Sequence, residues 1–104
     1  MEKENTLSFQ EYINLPIMKS ADKKACRYEV FAALTTYILN HYHINLVKDI
    51  HNPTAALNLA NKYADDKNFM KENPDLHDDC LHCLDLYVRY LQETQKIRRY
   101  HDEY

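Results

Sequence analysis

The residues best suited to chemistry lie in the segment HDDCLHCLDLYVRYLQ, from His77 to Gln92, where a histidine precedes a Cys-x-x-Cys pair that encloses His82. Thiolate and imidazole are the ligands of structural zinc, which takes about four of them in a tetrahedral array. His77, Cys80 and Cys83 recur every three residues, so a helix brings them to roughly one side. One continuous helix cannot surround an ion. The missing donors would have to come from His41, His43, His51 or Cys26, because there is no second Cys-x-x-Cys. A redox role fits less well, since thioredoxin-type pairs open a helix after a strand, and Asp78 and Asp79 raise a neighbouring thiol's pKa. Packing is the third alternative. Free cysteine is among the most buried of side chains, and Cys80 and Cys83 share an apolar stripe with Leu76, Leu84, Tyr87 and Leu91. The residue pattern therefore favours two small core side chains, with no bound metal or cofactor.

Other chemical signals are sparse. His41 and His43 could titrate near neutral pH or ligate a metal, but histidines scattered through helix ends read as solvated polar residues. No Ser, His and Asp spacing suggests a triad, and Asp78 and Asp79 point about 100° apart on a helix rather than at one substrate. No enzyme is expected. Nine tyrosines could build a stacking surface, yet Tyr28, Tyr37 and Tyr87 fall at positions that predict core rings with hydroxyls reaching water.

The elements that position these residues follow from composition and periodicity. A chain of 104 residues, 45% hydrophobic and 28% charged, predicts one helical domain over 1–104, with 1–7 disordered. It contains no Gly and three Pro, which disfavours tight hairpins and phosphate-cradling loops. There is no apolar leader or membrane-length run, and the cysteine count is odd, so a cytoplasmic protein with reduced thiols is expected. Ser8 and Glu11 form a capping box for a short first helix that Pro16 closes. Tyr28, Phe31, Leu34, Tyr37, Ile38 and Leu39 predict a second helix that starts at Ser20 as N-cap and runs to about Tyr42. Residues 43–51 read as an extended connection. Asn52-Pro53 opens a further helix with the stripe Ala56, Leu57, Ala60 and Tyr63 or Ala64. Phe69 and Met70 pin a turn or two, and a long last helix runs from about Asp75 to Tyr100. The fold expected is all-α, a compact bundle of about four to five helices with a long C-terminal helix.

Two surfaces follow from that arrangement. Leu81, Leu86, Val88 and Tyr90 widen the apolar face of the last helix beyond one stripe, which predicts an interaction surface for a protein partner or a second copy of the chain, a homodimer being favoured. Lys19, Lys23, Lys24 and Arg27 cluster in the second helix, and Arg89, Lys96, Arg98 and Arg99 in the last. With those helices antiparallel the clusters would meet and could contact phosphates, despite a net charge of −3.

The segments SFQEYI, KKACRYEVFAALTTYILNHY, INLVKDIHNPTAALNLANKYA and CLHCLDLYVRYL together resemble the SAM-like helical core-binding domain of tyrosine recombinases. The resemblance implies a helical bundle whose basic helix ends touch phosphates. That family's catalytic residues lie in a following domain, so none is carried over. The chain thus reads first as a non-enzymatic helical module for protein–protein contacts. The alternatives are a nucleic-acid-associated domain using the basic helix ends and a zinc-stabilised helical domain.

Overall fold

Local capping chemistry starts several of the helices. The computed structural model of the protein describes residues 7–72 and 74–102, with side chains through Thr94. Helix α1 (Phe9–Ile13) opens on the expected box, in which the Glu11 N–H donates to Ser8 Oγ at 3.1 Å and the Ser8 N–H returns to the Glu11 carboxylate at 2.9 Å. Asn14 ends it two residues ahead of Pro16. Helix α5 (Pro53–Ala64) likewise has Pro at its first position and Asn52 Oδ1 accepting from the Ala55 N–H at 2.8 Å.

The expected helix from Ser20 to Tyr42 is two helices, α2 (Ser20–Ala25) and α3 (Tyr28–Tyr42). No Gly or Pro marks the break. The Arg27 guanidinium donates to Asp79 at 2.9 Å, to Glu29 at 3.2 Å and to the Lys24 carbonyl at 2.7 Å, while Cys26 turns into the core. Contacts to a distant helix thus override local propensity. Ser20 is the first helical residue of α2 rather than its cap, which is Lys19. Helix α3 ends at His43, whose φ of 59° is left-handed, the conformation usually given to Gly.

The connection 43–51 is not extended throughout, because α4 (Leu46–Asp49) forms inside it. Asn45 accepts from the Lys48 N–H at 3.2 Å and donates its own N–H to Asp49 at 2.8 Å, so a local cap outweighs β-branched composition. Helices α6 (Lys67–Glu72) and α7 (His77–Asp102) complete the order, with no strand among the described residues. The fold is all-α with a long last helix. Its helices number seven among the described residues because of the break at Cys26 and the turn at α4.

At 26 residues, α7 is about 39 Å long and forms the axis against which α1, α2, α3 and α5 pack. Leu86 and Val88, expected to face a partner, are sealed in the chain's own core at 1% and 7% exposure. Leu81 and Tyr90 are half-buried against that core. The breadth of apolar surface on α7 therefore reflects wrapping by the chain's own helices. The Tyr90 hydroxyl donates to the Leu7 carbonyl at 2.6 Å, so Leu7 is held, while residues 1–6 of the expected disordered segment lie outside the described residues. On α5 the buried stripe is Ala56, Leu59, Ala60 and Tyr63, with Leu57 facing out. On α6 Phe69 is buried and Met70 is half exposed.

Candidate interaction surface

The three cysteines are free thiols, and all are buried. Cys80 Sγ donates to the Val30 carbonyl at 3.7 Å, and burial pushes its pKa up to about 11. Cys83 lies against Cys26, and that contact together with burial holds its pKa far above the usual thiol range. His77 packs its ring 5.6 Å from Phe69, with Nδ1 3.4 Å from Asp78 and Nε2 buried without a hydrogen-bond partner among the described residues. His41 instead stacks on Tyr37 at 4.1 Å and faces Glu72 at 3.4 Å. His43 is exposed at the end of α3. The candidate metal ligands are therefore dispersed. Among the described residues no group of three or more His, Cys, Asp or Glu side chains converges as a metal ion requires.

The tyrosines are used differently from each other. Tyr37 and Tyr42 donate to one Asp66 oxygen at 2.8 and 2.5 Å, while the other oxygen accepts from the N–H of Asn68 at 2.9 Å and of Phe69 at 3.3 Å. Burial alone would raise the Asp66 pKa, but these four bonds outweigh it and hold the carboxyl below its ordinary value. Burial also drives both tyrosine hydroxyls well above theirs. This carboxylate caps α6 and ties it to α3, a structural task. Tyr87 is core, its hydroxyl donating to the Ile50 carbonyl at 3.0 Å. Tyr28, expected in the core, is 87% exposed, because the break at Cys26 moves it to the outer side of the first turn of α3.

The charged residues intermingle rather than segregate. Helix α2 runs antiparallel to α7, since Asp22 bonds His82 Nε2 at 2.8 Å and Arg27 reaches back to Asp79 at 2.9 Å. Lys19 and Arg89 do come together in one groove, as an antiparallel pairing requires, but Asp22 and Glu93 line it with them. Lys23 and Lys24 are exposed, and Arg27 is engaged by carboxylates. The side chains of Lys96, Arg98 and Arg99 lie outside the described residues. Among the described side chains, the basic residues that come together at this groove are interspersed with carboxylates.

What stands out on the surface is apolar. Two open grooves, each about 240 Å³, flank α2. One, floored by Ile13 and Phe31, has Tyr28 on its edge, and the other, floored by Tyr12, Leu15 and Met18, has Ile17 on its edge at 82% exposure. Sequence periodicity reveals neither residue as exposed. Ile17 follows Pro16 in a non-helical turn, and Tyr28 falls in register with core residues of a helix that is broken just before it. No protein-family model matches the chain, and no curated protein or solved structure is similar to it. Among the described residues no helix is long and apolar enough to cross a membrane.

Proposed function

We propose that this chain is a non-enzymatic binding module that acts through protein–protein contacts. One observation carries the proposal. The three thiols are buried and Tyr37, Tyr42 and Tyr87 bond within the chain, whereas Ile17 and Tyr28 stand in solvent beside the two grooves that flank α2. Exposed apolar side chains grouped at a groove, with polar residues around them, are the usual mark of a protein-binding surface. Lys19, Lys23 and Lys24 lie on or beside α2, but Asp22, Glu29, Asp79 and Glu93 offset them, which favours a protein partner over a phosphate backbone. Three buried free thiols fit a reducing, cytoplasmic setting.

The test is capture from native lysate with and without nuclease, using the wild-type chain, Ile17→Lys, Tyr28→Ser and the distant surface control Lys67→Ala. Proteins that survive nuclease treatment, bind wild type and the control, and are lost with Ile17→Lys or Tyr28→Ser are the expected result. Capture abolished by nuclease would assign the surface to nucleic acid. Capture unchanged in both groove variants would remove these grooves as the binding surface.

A further inference from the structure

We infer that the groove between the α1–α2 turn and α7 is a self-association surface, occupied by the same groove of a second copy of this chain. The inference rests on the protein-binding reading of that groove and names its partner. Ile17 projects beside the groove at 82% exposure, next to Pro16, which stiffens the turn, and behind it Leu15, Met18 and Tyr12 form an apolar floor. A protruding apolar residue and an apolar recess therefore lie side by side on one patch. That is the arrangement an isologous contact uses, since each copy must supply both parts.

The mixed charge of the rim suits a second copy. Lys19 and Arg89 contribute positive charge, Asp22 and Glu93 negative charge. A partner of one charge sign would be attracted by half of this rim and repelled by the other half, whereas a patch of balanced charge can be its own electrostatic complement. Arg89 and Glu93 are both exposed and one helical turn apart on α7. A two-fold axis passing between them sets each Arg89 against the other copy's Glu93. Tyr12, Arg89 and Glu93 all line the groove, so the pair sits at its wall. The dimer should be reversible, with a dissociation constant of about 1–100 µM.

Sedimentation equilibrium of the full chain from about 1 to 500 µM tests this, with helical circular dichroism as the check on folding. Wild type should pass from monomer to dimer. Ile17→Lys, Arg89→Glu and Glu93→Arg alone should each weaken association about tenfold or more. An equimolar mixture of Arg89→Glu and Glu93→Arg should restore it, because each altered residue then meets its opposite. A wild type that stays monomeric to the highest concentration overturns the inference. So does an Ile17→Lys variant that dimerises like wild type, or a mixture no better than its components. A monomeric wild type whose nuclease-resistant partners are lost with Ile17→Lys would leave the binding module intact and remove only the second copy.

Discussion

Replacing Asp66 tests whether the tyrosine-rich end of the molecule is held by one carboxylate. Asp66→Ala deletes the acceptor for the Asn68 and Phe69 N–H groups, a loss of about 1 kcal/mol for a helix cap. It also strands the Tyr37 hydroxyl, on a residue only 4% exposed, which adds roughly 1–3 kcal/mol. Tyr42 is half-buried and its hydroxyl can turn to water, so it adds little. The expected destabilisation is roughly 2–4 kcal/mol by urea melts at pH 7. Asp66→Asn keeps the cap acceptor but loses the charge, and should cost about 1 kcal/mol. The pH dependence has a definite sign. A carboxyl held below its ordinary value in the folded state contributes fully above the unfolded pKa and loses that contribution as pH falls through the folded one. The gap between wild type and Asp66→Asn should be flat from about pH 5 to 8 and close below about pH 4. Asp66→Ala within about 0.5 kcal/mol of wild type, or a gap that widens in acid, would refute the reasoning.

Leu84→Ala, at a fully buried position on α7, should lower stability by roughly 2–5 kcal/mol in the same melts, whereas Gln92→Ala on its exposed side should stay within about 0.5. With all three thiols buried and Cys80 and Cys83 raised, an aromatic disulfide reagent at pH 8 should label the native chain about 100-fold more slowly than the urea-unfolded one. Rapid native labelling of one thiol would mean that the α2–α7 seam opens. His43→Gly should raise stability by about 0.5 kcal/mol by relieving the left-handed backbone, and His43→Val should lower it by about 1, both read from thermal melts.

The capping box at Ser8 and the Asn52-Pro53 start were legible because every atom involved lies within a few residues. The break at Cys26 was not, because the Arg27–Asp79 bond that holds it spans 52 residues and nothing local announces it. Asn45 and Asp66 carried signals of their own, each a polar side chain with a helical turn after it, but β-branched or acidic neighbours masked them. The apolar breadth of α7 could be read directly, yet breadth does not reveal what covers it. Leu86 and Val88 would face a partner in a bundle of four helices, and they are core in one where short α1 and α2 add to the wrapping.

That wrapping has a consequence for where a partner can bind. A long helix enclosed by its own chain has little apolar surface left to offer, so apolar contacts with another molecule would come from side chains on the other elements. The most exposed large apolar side chains among the described residues, Ile17 and Tyr28, lie at the turn after Pro16 and the restart after Cys26. The same break that defeats the sequence-based expectation of one continuous helix thus places Tyr28 outside. It also sets α2 as a short rib between two grooves, with the α7 side chains Arg89 and Glu93 forming one wall. Loosening the break would test this coupling. Removing the Arg27–Asp79 bond with Asp79→Ala should loosen the α2–α3 junction and weaken binding at both grooves together, while Ile17→Lys should affect only its own. Independent behaviour of the grooves in Asp79→Ala would show that the break is held by something other than Arg27.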